Sequence, residues 1–260
     1  MPRTTPAHRR ARLATAACLM FLCAAAGASE ATLPSYQHAL EAFQAERAAG
    51  KGPKVTPEDR AVMEQAGTDL AVAMPSPGLK VGDRAPGFGL IDARGERVTL
   101  EGLLENGPVV LTFYRGAWCP YCNLQLRGLA QSLPTIQAAG GQLVAITPQA
   151  PDKSLEQVKK DGFPFEILSD LDSSVMRAYG LYFEVPDAVS DVYRRNFKLD
   201  LAEYNGAGRY VLPVPATYVI DRAGIVRFAF ADTDYRKRAE PAAIVEALKG
   251  LKAPAGGGPT

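Results

Sequence analysis

Residues 107–122 read GPVVLTFYRGAWCPYC. The opening GPVVLTFY is a continuous apolar run rich in β-formers, which predicts a strand buried on both faces. The segment CNLQLRGLAQSLPTIQAAG (122–140) has leucines at helical spacing and stops at Gly140-Gly141. Strand, tight turn and helix are therefore expected in succession, with Cys119 and Cys122 at the junction. That junction suits sulfur chemistry. A two-residue separation on the first turn of a helix lets two sulfurs close a small disulfide ring. The helix N-terminus offers partial positive charge and free N–H groups to a thiolate. The thiolate is the attacking species, so a pKa held below ~8.5 raises its population at neutral pH. Arg115 adds a cation just upstream, Pro120 suits the first helical position, and Trp118 and Tyr121 supply an aromatic rim. Cys119 is expected at the exposed mouth of the helix and Cys122 nearer the core, which makes Cys119 the more reactive thiol.

Working outward, strands and helices alternate. GQLVAITP (141–148) and PFEILSD (164–170) predict buried strands, with a helix at SLEQVKKDG (154–162) between them and another at SSVMRAYGL (173–181). ATYVID (216–221), the turn Asp221-Arg222-Ala223-Gly224 and IVRFAFA (225–231) predict a hairpin. PAAIVEALKGL (241–251) predicts the last helix, opened by Pro241. This order implies an α/β sandwich around a mixed central sheet. Residues 182–213 read as an insertion rich in tyrosine and phenylalanine, a packing segment or a lid over the cysteines. Asp234-Tyr235-Arg236-Lys237-Arg238 reads as solvated charge ahead of the last helix.

Upstream, SYQHALEAFQAERAA (35–49) and TPEDRAVMEQAGTDLAVAM (56–74) predict two amphipathic helices, parted by KGPK. The first 28 residues predict a signal peptide. Arg3, Arg9, Arg10 and Arg12 precede the apolar run LATAACLMFLCAAA (13–26), and Ala26-Gly27-Ala28 offers a cleavage pattern. The run is short of the ~20 apolar residues of a membrane span, so no stable span is expected once the leader is removed. The expected organisation is a leader at 1–28, a helical extension at 29–78, a domain at 79–252 and a disordered tail at 253–260. The protein is expected to be exported, to the periplasm or cell envelope.

Composition excludes several function classes. The whole chain carries 29 basic and 28 acidic residues, a net charge of +1 that gives no footprint for nucleic acid. Loss of the leader leaves 25 basic side chains against 28 acidic ones. It also removes Cys18, Cys23 and His8, so that Cys119, Cys122 and His38 remain. A structural zinc site needs four ligands, and no metal is expected. A purely structural bridge across so short a loop would stabilise little. A redox dithiol in a compartment where disulfides persist is the reading that remains.

Four segments carry a family resemblance: KVGDRAPGFGLIDARGERVTL (80–100), FYRGAWCPYCNLQLR (113–127), ILSDLDSSVMRAYGL (167–181) and VPATYVIDRAGIVRF (214–228). Together they resemble the peroxiredoxin-like proteins of the alkyl hydroperoxide reductase and thiol-specific antioxidant family, over about residues 79–252. The resemblance implies a thioredoxin fold, here with an N-terminal helical extension. It implies reduction of peroxides through a redox-active Cys119-Cys122 disulfide, with electrons from a thioredoxin-like or other dithiol donor. No metal, flavin or haem is implied. The alternative is exchange with protein disulfides, without peroxidase activity. The family's peroxide-attacking cysteine falls at Cys122, but its threonine falls at Cys119, its proline at Arg115 and its late arginine near Pro215. A thioredoxin-like order instead makes Cys119 the nucleophile and Cys122 the resolving thiol. Pro215 then becomes a cis-proline facing the pair. The acid often buried under a thioredoxin pair falls at Phe113.

Overall fold

The computed structural model describes residues 1–2 and 32–252. The tail expected at 253–260 lies outside them, as does the leader apart from its first two residues. From Leu33 onward the described residues belong to one compact unit. Two helices come first. α1 (Tyr36–Ala48) is capped by Ser35, whose side chain accepts from the His38 N–H. α2 (Pro57–Ala73) is capped by Thr56, with Pro57, Glu58 and Asp59 in its first turn. There follow β1 (Gly89–Asp92), β2 (Arg97–Thr99), α3 (Leu100–Asn106), β3 (Val109–Phe113), α4 (Pro120–Ala138), β4 (Gln142–Thr147), α5 (Pro151–Asp161), β5 (Glu166–Ser169) and α6 (Ser174–Ala178). The segment at 182–213 contains β6 (Tyr182–Glu184), α7 (Asp187–Val192), a π-helical turn (Tyr193–Phe197), α8 (Leu201–Asn205) and β7 (Val211–Pro213). β8 (Ala216–Ile220), β9 (Val226–Ala231) and α9 (Pro241–Lys252) complete the chain.

Seven strands form one mixed sheet in the order β2-β1-β5-β4-β3-β8-β9. β3 runs parallel to β4 and antiparallel to β8, so it is the central strand, and all five of its residues are buried. Alternation along β3 builds two cores. Val109, Leu111 and Phe113 pack with Ala216, Tyr218 and Ile220 of β8 on one face. Val110 packs with Val219, with Leu129, Leu133 and Ile136 of α4, and with Ile244, Val245 and Leu248 of α9 on the other. The predicted α/β sandwich is thus the observed architecture, with helices on both faces of a mixed sheet. Leu111→Ala removes a fully buried side chain from the first core. It should lower unfolding free energy by about 2–5 kcal/mol, measured by urea denaturation.

The sequence reading assigns no elements to β1, β2 or α3. The short sheet pairing β6 with β7 is likewise a finding of the structure. These strands have only three or four residues and are partly exposed, so they lack a run long enough to show a period. Both predicted N-terminal helices are present. No helix among the described residues is long and apolar enough to cross a membrane.

Candidate active site

Cys119 and Cys122 lie where β3 gives way to α4. The chain leaves β3 through Gly116, where φ is +155°, and a Cβ there would sit 2.4 Å from Trp118 Nε1. Glycine is therefore what lets the indole fold back over the turn. Side-chain amides fix the loop. The Ala117 N–H donates to Gln149 Oε1 at 2.8 Å, and Asn123 Nδ2 donates to the Ala117 carbonyl at 2.8 Å. Gln157 Nε2 donates to Asn123 Oδ1 at 3.1 Å, and Gln157 Oε1 accepts from the Tyr114 hydroxyl at 2.8 Å. Cys119 is the N-cap of α4 and Pro120 its first residue, which places Cys122 on the first turn. There it meets the helix's unpaired N–H groups and the positive end of its dipole.

Both thiols are free and buried, Cys119 at 1% exposure and Cys122 at 0%. Two buried guanidiniums accompany them. Arg238 Nη2 donates to Cys122 Sγ at 3.4 Å, while Nη1 is held by the carbonyls of Tyr235 and Lys237. Arg115 donates to the Tyr193 hydroxyl and stacks against Tyr235 and Trp118, 4.4 and 5.0 Å from the ring centroids. Among the described residues neither guanidinium has a carboxylate within ion-pair distance, so the site carries excess positive charge. Arg115 Nε, Arg238 Nε and Trp118 Nε1 are all buried donors without a partner.

These groups separate the two sulfurs. Burial pushes the Cys122 thiol up, but this is outweighed by a hydrogen bond from Cys119, by Arg238 and Arg115, and by the Arg115 backbone N–H. Its pKa is held well below the ordinary thiol value. Burial and the neighbouring Cys122 push Cys119 up, and the two arginines offset this only in part. The arrangement lowers the Cys122 thiol and raises the Cys119 thiol, so it favours the thiolate at Cys122.

The predicted residues Arg115, Trp118, Pro120, Tyr121, Cys119 and Cys122 do come together. Three expectations are corrected. Cys119 is not exposed, and the guanidinium that reaches a sulfur, that of Arg238, stands at Cys122. The reason is a roof that a bare strand–turn–helix does not have. In it Phe43 of α1 meets Tyr121 at 5.3 Å, Tyr121 meets Tyr235 at 5.5 Å, and Tyr193 meets Trp118 at 5.9 Å. Pro215 is not cis, since no cis peptide bond occurs among the described residues. The 234–238 segment is not solvated throughout, because Arg238 turns in to Cys122.

Arg238, Tyr235 and Tyr36 are the residues the sequence reading missed. Nothing in the run Arg236-Lys237-Arg238 marks which cation turns inward. Tyr36 reaches the site because its hydroxyl donates to the Arg236 carbonyl, while Glu240 accepts from the Tyr36 and Gln37 N–H groups at 2.9 and 2.8 Å. Tyr193 reaches it from the π-helical turn, whose extra residue re-aims a side chain. Phe113, in the place of the thioredoxin acid, is an apolar core residue.

The chain is similar in sequence and in fold to known proteins. The chain is 31% identical over 125 residues to peroxiredoxin Bcp of Escherichia coli, covering 47% of this chain and 80% of that protein. It is 30% identical over 153 residues to alkyl hydroperoxide reductase E of Mycobacterium bovis, covering 58% of this chain and 84% of the relative. The fold resembles the crystal structure of peroxidoxin BcpB from Mycobacterium tuberculosis, with a TM-score of 0.53 and 21% identity over 66% of this chain and 98% of the other. The AhpC/TSA family pattern matches residues 81–229, which run from just before β1 into β9 and contain both cysteines, while α1 and α2 precede the match. A match over more than half of the chain, which contains the strand and helix that hold the cysteine pair, makes this protein a member of the AhpC/TSA family.

Proposed function

We propose that the protein is a thiol-dependent peroxide reductase working through Cys122 and Cys119. The observation that carries this reading is a buried Cys122 whose sulfur accepts from Arg238 Nη2 at 3.4 Å, with Arg115 buried nearby and no carboxylate paired with either cation among the described residues. The thiolate attacks the terminal oxygen of a peroxide, so an S–O bond forms as the O–O bond breaks. Sulfur loses an electron pair to the leaving alkoxide or hydroxide. The arginines stabilise that oxygen until it takes a proton from water. The Cys119 thiol then attacks the sulfenic sulfur. The S–S bond forms, hydroxide leaves, and the Cys119 proton converts it to water. A thioredoxin-like or other dithiol donor returns two electrons and two protons and restores the pair. Cysteine sulfur alone carries this cycle.

Burial supports peroxide over a protein disulfide as the oxidising substrate. A small molecule reaches a sulfur at 0% exposure with less rearrangement than a folded partner requires. The expected result of a paired assay is hydrogen peroxide consumption that depends on a dithiol donor and exceeds insulin disulfide reduction. Insulin reduction without peroxide consumption would instead assign protein-disulfide exchange. The basic start, the apolar run and Ala26-Gly27-Ala28 support export to the periplasm or envelope, where such an enzyme would act as an antioxidant. Mass measurement on the exported protein should give a chain beginning near Ser29, and a mass that retains residues 1–28 would overturn cleavage there.

A further inference from the structure

The cation at Cys122 comes from a segment that α1 grips on either side of it. Residues 235–240 link β9 to α9, and alternate members have distinct partners. The Arg236 carbonyl accepts from the Tyr36 hydroxyl of α1. The Glu240 carboxylate accepts from the Tyr36 and Gln37 N–H groups at 2.9 and 2.8 Å, which sets it on the positive end of α1. Arg238 lies midway between these two anchors, and its Nη2 donates to Cys122 Sγ at 3.4 Å. Its basic neighbours are held on the outer side, Arg236 by Asp234 at 2.8 Å and Lys237 by Asp232 at 3.0 Å. Further along α1, Phe43 stands edge-on to Tyr121, and Tyr121 to Tyr235, whose carbonyl holds Arg238 Nη1. Tyr36 is buried, and burial pushes its phenol up, so the hydroxyl stays a neutral donor. Both α1 and residues 235–240 lie outside the matched family residues.

We infer that α1 is a positioning element for the redox site: Tyr36 and Glu240 fix the 235–240 segment at both ends and so keep Arg238 against the Cys122 sulfur. The inference rests on the proposed peroxidase function for what the sulfur attacks, and on the geometry alone for the clamp. A guanidinium acts on a thiolate only while it is close and shielded from water. Arg is also a long side chain that loses rotamer freedom when it is held inward. Among the described residues no carboxylate pairs with Arg238, and its other hydrogen bonds run to the carbonyls of Tyr235 and Lys237 in its own loop. Its place is therefore only as fixed as that loop, and the loop is tied to α1. The titratable groups that face the cysteine pair are Tyr36 of α1, Tyr114 and Arg115 just beyond β3, Tyr121 of α4, and Tyr235 and Arg238 of the loop. Burial pushes all four phenols up, so only the sulfurs change charge between about pH 4 and 9.

Tyr36→Phe removes only the hydroxyl that holds the Arg236 carbonyl and keeps the ring in place. Glu240→Ala removes the acceptor of both α1 N–H groups. The readout is the Cys122 titration, which needs no peroxide. It is followed by thiolate absorbance near 240 nm in the full-length Cys119→Ser protein, less the signal of the Cys119→Ser/Cys122→Ser protein. At the pH where the Cys119→Ser parent is half thiolate, each added variant should retain about a quarter or less. Single-turnover peroxide reduction at that pH should fall by about the same factor of two or more. In an Arg238→Gln background Tyr36→Phe should add no further change, because its effect runs through the guanidinium. An unmoved titration in either variant overturns the inference, and Tyr36→Phe alone decides if Glu240→Ala does not fold. An equal shift with and without Arg238 also overturns it, because α1 would then act on sulfur by another route. A shifted titration in a protein that consumes no peroxide overturns the peroxidase reading and leaves the clamp standing. Peroxide consumption with an unmoved titration does the reverse.

Discussion

Cys122→Ser is expected to abolish peroxide consumption, by roughly a thousandfold or more, because it removes the sulfur that forms the bond to oxygen. Cys119→Ser should also stop multiple turnover, since the intramolecular disulfide cannot form. It should nevertheless let Cys122 react once. A stoichiometric sulfenic acid at Cys122, trapped by dimedone in the Cys119→Ser protein, is the diagnostic product. No such adduct should appear at Cys119 in the Cys122→Ser protein. The reverse pattern would restore the thioredoxin-like order in which Cys119 attacks first. The structure favours Cys122 because Arg238 lies 3.4 Å from its sulfur, whereas Cys119 is pushed up by burial and then by its neighbour Cys122. Both variants should keep the fold, because the two cores under β3 do not depend on the pair. A melting shift of only a few degrees is expected, about 2–4 °C per kcal/mol at this size.

Arg238→Gln should produce the second large effect, and its signature is a pH profile. The Cys122 thiol, ordinarily near 9, is held to about 5 in this site. Below that value the sulfur is protonated and unreactive. Removing the guanidinium destabilises the thiolate, so the pKa must rise. The rate should therefore fall most at low pH and recover as pH rises through the new value. At pH 6 the first unit of upward shift removes about half of the thiolate, and further units approach a tenfold loss each. Single-turnover rates between pH 5 and 9, with the thiolate absorbance near 240 nm, test this. A uniform loss across that range would make Arg238 a merely structural residue. Arg238→Lys should rescue part of the profile, since it restores charge without the fixed fork of donors.

The central stretch around the cysteines was legible because its signal is local. A five-residue strand buried on both faces must be uniformly apolar, and a helix packed on it must repeat at helical spacing. The same logic gave the hairpin at 216–231 and the last helix. Apolar residues at near-helical spacing over 35–49 and the Thr-Pro-Glu-Asp start at Thr56 marked the two N-terminal helices. The positions of Cys119 and Cys122 at the start of α4 likewise follow from chain order alone.

Which sulfur is the thiolate does not follow from chain order. The sequence places a cysteine pair at a helix N-terminus, and that geometry by itself favours the first. The roof reverses the preference. Its parts come from α1, the π-helical turn, and the loop between β9 and α9. Arg238 lies 116 positions from Cys122 and reads in sequence as one of three solvated cations. Only the closing of α1 and the β9–α9 loop over α4 removes it from water and sets it against sulfur. Electrostatic strength at a site depends on distance and on exclusion of solvent, both properties of the folded chain. The sequence therefore determined the strand, the helix and the presence of a dithiol, while the tertiary structure decided which thiol is charged and which cation holds it.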